Sequence, residues 1–272
     1  MLVKRAAVRT DFVARPQKDR FHRAVVPLGG GIAIFWTIAL GLLIGLAVVH
    51  GLIKPGRLNL SGESVMVHLP GFLSKTADVF WIVALAGALH IMGLIDDAKG
   101  LGPYVKLAVQ FAVAFAAAFF VEIRAEMFIH NIWITSLLSA VWIVLIINVF
   151  NFLDNMDGLS VGLAIITTAV LCGVAMLNGQ VFVSSLALLL LGAAAGFWVF
   201  NFPPASIFMG DCGSMVVGFF VATLTLRTTY YHETEGGGLF AVLMPLVIMA
   251  VPLYDFVSVT LLRISQGRSP LV

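Results

Sequence analysis

Residues 81 to 100 read "WIVALAGALHIMGLIDDAKG", an apolar run of transmembrane character that ends on two adjacent aspartates. A stretch of about 20 apolar residues is long enough to cross a bilayer as a helix. A carboxylate at that depth is costly unless it is paired, bound to a metal or open to water. Asp96 and Asp97 also sit at the end of the run, where the helix dipole favours cations. They therefore need a compensating positive charge, for which Lys99, Lys106 and a bound divalent ion are the candidates.

The same apolar pattern recurs along the chain. Of 272 residues, 60% are hydrophobic and 11% charged, whereas water-soluble domains carry about 25% charged residues. Eight candidate spans follow, at roughly 28–49, 77–95, 105–121, 132–150, 159–177, 181–200, 213–230 and 239–261. The expected fold is an all-α polytopic transmembrane helix bundle forming a single domain over 1–272. With the N-terminus cytoplasmic, eleven of the sixteen Lys and Arg fall on the inside, as the positive-inside rule requires. The basic N-terminal stretch leads into a full-length span without a small-residue cleavage site, so the first span is expected to stay. A net charge of +2 excludes nothing by itself but gives no reason to expect nucleic-acid binding. Cys172 and Cys212 are the only cysteines and suggest neither disulfides nor a cysteine-based zinc site.

Threading eight crossings from an inside start brings every polar cluster to one face: "DDAKG" (96–100), "NVFNFLDNMDG" (148–158) and "NFPPASIFMGDCGS" (201–214). Asp154 and Asp157 are spaced i, i+3 and would share a face of a helix opening span five, either capping it or holding a ligand. Asn148 and Asn151 lie in an apolar run and need hydrogen-bond partners. Asp211 stands between Gly210 and Gly213, as a helix N-cap or as a ligand, and Asn201 precedes a Pro-Pro pair that stops span six. The glycines of "PLGGG" (27–31) lack the rest of a phosphate loop and suit close helix packing instead. His90 is expected to be a packed or hydrogen-bonded interior residue.

The stretches "GLIDDAKGLGPYVKLAVQ", "NVFNFLDNMDGLSVG" and "NFPPASIFMGDCGSMVVG", with "RPQKDRFHRAVVPLGGGIAI" before them, resemble the motifs of the polyprenyl-phosphate N-acetylhexosamine-1-phosphate transferases of glycosyltransferase family 4. The resemblance implies transfer of a sugar-1-phosphate, N-acetylglucosamine-1-phosphate foremost, from a UDP-sugar to undecaprenyl or a similar polyprenyl phosphate. UMP is released, and a lipid-linked pyrophosphate sugar starts envelope polysaccharide synthesis. It implies Mg²⁺, with Mn²⁺ as a substitute, a bacterial cytoplasmic membrane with the active face inside, and a homodimer. Carried over by position, Asp96 and Asp97 are catalytic, Asn151 and Asp211 are metal ligands, and Lys106 contacts pyrophosphate. Asp157 and Asn201 contact uridine, and Asp154 supports the loop. Family members follow "GRSP" with a histidine-rich segment and further spans, whereas these residues close on "RISQGRSPLV" (263–272). A muramoyl-pentapeptide-type transferase and a non-catalytic membrane homologue are the alternatives. A cation-coupled transporter would be expected to place its carboxylates near the midplane.

Overall fold

The computed structural model describes residues 2–10, 12–14, 25–57, 63–124, 131–228, 230 and 238–267. The basic residues Arg15, Lys18, Arg20, Arg23 and Arg268 lie outside that set. Eleven α-helices account for most of it: α1 (Leu2–Arg9), α2 (Gly30–Val48), α3 (Glu63–Ser74), α4 (Thr76–Lys99), α5 (Pro103–Phe120), α6 (Ile132–Leu153), α7 (Leu159–Leu177), α8 (Val181–Asn201), α9 (Asp211–Arg227), α10 (Gly238–Ile248) and α11 (Ala250–Ser265). The only strands among the described residues are β1 (Val13–Ala14) and β2 (Val26–Pro27), antiparallel, with Val13 opposite Pro27.

The chain is an all-α membrane bundle. Among the described residues six helices are long and apolar enough to cross a membrane, at Gly30–Ile53, Thr76–Lys99, Pro103–Phe120, Ile132–Leu153, Leu159–Leu177 and Val181–Asn201. They correspond to the first six expected spans. The outward faces of these helices carry large apolar side chains, such as Trp36, Leu40 and Ile44 on α2 and Trp133, Leu137 and Val141 on α6. In lipid that is the stable arrangement, since hydrocarbon replaces water as the outer solvent.

The seventh and eighth spans depart from the expected count of eight. α9 has 17 residues, about 25 Å at 1.5 Å per residue, and every residue from Cys212 to Thr225 is buried. A helix that is apolar all round belongs in an interior, and α9 is the axle of the bundle, packed against α2, α4, α6, α7 and α8. The eighth span is two helices, α10 and α11, broken at Met249. Pro252 falls in the first turn of α11, where its missing N–H has no helical partner to lose.

Neighbours in sequence pair as antiparallel hairpins, α4 with α5, α5 with α6, and α7 with α8. The ends of α4, α6 and α8 and the starts of α5, α7 and α9 therefore lie at the same side of the bundle. The segment before α9 is fixed to the start of α2 by main-chain bonds: Gly30 N–H to Phe208 O, Gly31 N–H to Met209 O, and Phe208 N–H to Pro27 O, each 2.9 Å.

Candidate active site

The site grows from one face of α4. His90, Gly93 and Asp97 are spaced i, i+3, i+7 and form a stripe along one side of the helix. All three meet the first turn of α9. The ring of His90, stacked on Phe35, places Nδ1 3.0 Å from the Cys212 carbonyl oxygen. At Gly93 an added Cβ would stand 2.4 Å from the Cys212 Cα, so nothing larger fits. Asp97 accepts the backbone N–H of Asp211 at 2.9 Å and of Cys212 at 3.2 Å. Those amides are among the helix donors that have no partner within the helix. Asp97 thus caps α9 from another helix, and its charge is favoured there by the dipole.

Of the two readings of Asp211, the N-cap is the one that fails. The residue at the N-cap position of α9 is Gly210, and Asp211 is the first helical residue. A side chain at position 210 would collide with Asp97, whose Oδ2 lies 2.6 Å from the ideal Cβ position, and φ is +73°. Glycine leaves room for the incoming carboxylate, and Asp211 is freed to point elsewhere.

Asp211 turns toward Lys106. The ammonium of Lys106 donates to Asp96 Oδ2 at 2.8 Å and to Asp211 Oδ2 at 3.1 Å. Asp96 also accepts the Leu101 N–H at 2.5 Å, which fixes the turn from α4 to α5. Lys106 stands in the first turn of α5, behind Gly102 and Pro103, where the dipole disfavours a cation; Asp96 stands in the last turn of α4, where it disfavours an anion. Each charge is poorly placed for its own helix and well placed for the other. Asp96 and Asp211 share one ammonium while Asp97 is held by the α9 amides, so three carboxylates and one lysine give a formal charge of −2 in a partly buried cluster.

The second motif supplies the wall. Asn151 donates through Nδ2 to the buried Ser214 hydroxyl at 2.9 Å, three residues along α9 from Asp211. Asn148 donates to Gln110 Oε1 at 2.7 Å. Both amides thus find the partners that an apolar helix obliges them to find. Asp154 and Asp157 do not share a helix face as their spacing suggests. α6 ends at Leu153, α7 begins at Leu159, and the residues between form a turn closed by Gly158 at φ +73°. A left-handed residue at 158 cannot continue a helix, so Asp154 closes α6 while Asp157 reaches across to accept the Ala205 N–H at 2.9 Å.

Asn201, only 3% exposed, has both ends of its amide engaged in the fold. Its oxygen accepts the Gly158 N–H and its nitrogen donates to the Ile207 carbonyl, each at 3.0 Å. With Asp157 it ties the 154–158 turn to the 202–207 loop. Asp96, Asp97, Lys106, Asn151 and Asp211 therefore form one cluster, whereas Asp154, Asp157 and Asn201 form the loop frame beside it. Ser214 and Leu101 escaped the sequence reading because a buried hydroxyl and a backbone amide carry no charge signal. Phe152, adjacent to Asn151, lies under the Arg263 guanidinium, 5.3 Å from the ring centroid, and brings α11 to the rim.

Among the described residues no three His, Cys, Asp or Glu side chains already stand in a metal-binding arrangement. The cluster is nevertheless rich in hard oxygen donors, the carboxylates of Asp96 and Asp211 and the amide oxygen of Asn151. Such a donor set suits Mg²⁺ or Mn²⁺ rather than a soft metal.

The family model described as glycosyl transferase family 4 matches residues 79–229, which include Asp96, Asp97, Lys106, Asn151, Asp154, Asp157, Asn201 and Asp211. The probable undecaprenyl-phosphate N-acetylglucosaminyl 1-phosphate transferase of Bacillus subtilis (strain 168) is 31% identical over 262 residues, covering 93% of this chain and 64% of the relative. The decaprenyl-phosphate N-acetylglucosaminephosphotransferase of Mycolicibacterium smegmatis is 30% identical over 293 residues, 99% of this chain and 68% of the relative. The undecaprenyl-phosphate alpha-N-acetylglucosaminyl 1-phosphate transferase of Escherichia coli (strain K12) is 25% identical over 281 residues, 98% and 68%. The chain thus spans about two thirds of the length of the curated relatives it matches.

Proposed function

The chain belongs to glycosyl transferase family 4, and from that premise we propose that it transfers N-acetylglucosamine-1-phosphate from UDP-N-acetylglucosamine to a polyprenyl phosphate. The observation that supports this reading most directly is the Asp96–Lys106–Asp211 cluster at one end of an apolar bundle. One substrate is confined to the membrane and the other to the cytosol, and both are anionic, so the reaction belongs at their boundary. The setting we infer is a bacterial cytoplasmic membrane with this cluster facing the cytoplasm.

In the proposed step an oxygen of the lipid phosphate attacks the sugar-bearing phosphorus of the UDP-sugar. The bond from that phosphorus to the bridging oxygen breaks, and UMP leaves with the bridging oxygen. Phosphoryl transfer of this kind depends mainly on positioning and charge neutralisation. Asp96, held by Leu101 and Lys106, accepts the proton of the lipid phosphate and orients it. Lys106 swings from its carboxylates onto the pyrophosphate. Asp97 keeps the first turn of α9 in place, and with it Asp211. Asp211 and Asn151 are the residues that would hold Mg²⁺, which when bound offsets the negative charge of the breaking pyrophosphate. The frame of Asp154, Asp157 and Asn201 borders the uridine side.

The test is UMP release by purified protein in detergent with undecaprenyl phosphate, UDP-N-acetylglucosamine and Mg²⁺. Turnover is expected to vanish with EDTA and in Asp96→Asn. Turnover that persists in both controls would overturn the assignment.

A further inference from the structure

A second site lies at the other end of the bundle. Lys75, before the first turn of α4, is 21 residues from Asp96, roughly 30 Å along the helix at 1.5 Å per residue. Beside it a cleft of about 370 Å³ opens between α3, the start of α4, the α7–α8 turn and the end of α9. Its polar lining is His68, Ser74, Lys75, Gln180 and Arg227, and its apolar wall includes Phe72 and Phe182. Among the described residues no carboxylate lines it. Asp78, behind it, bonds to Lys75 at 3.1 Å and to Arg227 at 3.0 Å, and so balances one of the two cations. The described lining therefore carries a net positive charge on a mainly apolar wall.

From this geometry we propose that the cleft binds the phosphate headgroup of an anionic phospholipid at the membrane surface opposite the carboxylate cluster. The charge selects an anion. The Phe72 and Phe182 wall selects an amphiphile over a free ion, because an acyl chain leaving the headgroup would run onto apolar surface. The location fits as well: the cleft lies where the apolar helices α4, α8 and α9 begin or end, the level at which headgroups meet a membrane protein. Lys75 is the pivotal donor. Its side chain is 41% exposed, and an ammonium has three donors, of which Asp78 takes one. The site is independent of the proposed transfer reaction and shares no residue with it.

The experiment is native mass spectrometry of the detergent-purified full chain titrated with phosphatidylglycerol or phosphatidylcholine. The parent chain is compared with Lys75→Gln, Lys75→Arg and His68→Gln. The expected result is preferential retention of phosphatidylglycerol, kept in Lys75→Arg and weakened about fivefold in Lys75→Gln, the size of one basic contact at an anionic surface. His68→Gln, which leaves the Asp78 pairing untouched, should show a smaller loss in the same direction and covers the case in which Lys75→Gln fails to fold. Equal retention of the two lipids, or no loss in either neutral variant, would overturn the proposal. Displacement of phosphatidylglycerol by millimolar inorganic phosphate would also overturn it, showing a site for small anions instead of a lipid.

Discussion

Single side chains at the carboxylate cluster have separable duties. Lys106 holds Asp96 and Asp211 within 3.1 Å of one nitrogen, so Lys106→Met removes the only cation among these contacts and leaves two carboxylates to repel each other. UMP release is expected to fall by about 100-fold or more, the usual scale for losing one preorganised charge contact. Asp97 differs, because both of its oxygens are engaged by backbone amides of α9. Asp97→Ala should cost about 1 kcal/mol or more of stability through the lost cap, visible as a lower melting temperature in detergent, and should lower activity by displacing Asp211. A variant that melts normally yet is inactive would mean that Asp97 acts on substrate directly. The doublet "DD" announced both residues as unusual, but sequence could not assign them different partners. Adjacent residues on a helix point about 100° apart, and which helix stands in each direction is a matter of packing.

Among the elements, α4 and α9 are fastened at both ends. At the carboxylate end Asp97 caps α9; at the other, Asp78 pairs with Arg227, which also donates to the Val121 carbonyl. Asp78→Leu would leave a largely buried guanidinium without its carboxylate. A loss of about 3 kcal/mol is expected, read from thermal unfolding, while Lys75→Leu, removing an exposed partner of the same carboxylate, should cost much less. Close helix contact is equally specific. An added Cβ at Gly31 would lie 2.2 Å from the Gly213 nitrogen, so Gly31→Ala forces α2 off α9 and should destabilise by about 2 kcal/mol. Gly30 and Gly31 of "PLGGG" were legible as packing residues, as small residues at membrane helix contacts usually are, whereas Gly29 is the left-handed N-cap of α2. The position of α9 was not: its sequence shows a span like the others, and only the assembled bundle makes it the interior one.

Over the whole molecule, the decisive feature is that six helix ends meet on one side. This predicts a topology test. Cys172 and Cys212 are both buried, so single cysteines placed at Lys99 and at Lys75 give clean signals. In inverted and right-side-out vesicles the two positions should react with an impermeant maleimide from opposite sides, Lys99 from the cytoplasm. Reaction of both from one side would dismantle the bundle described here. The amino-acid sequence by itself determined that this protein is a helical membrane bundle, where its first six spans lie, and which polar residues are out of place in it. Those features follow from composition and local periodicity, which every residue carries with it. Tertiary structure alone decided that Asp97 caps α9, that Asp96 and Asp211 share Lys106, that the 154–158 segment is a turn, and that Asn201 and Asp157 bind two loops together. These contacts join residues up to 115 positions apart. No local pattern encodes such a pairing, because its energy exists only once the helices have packed.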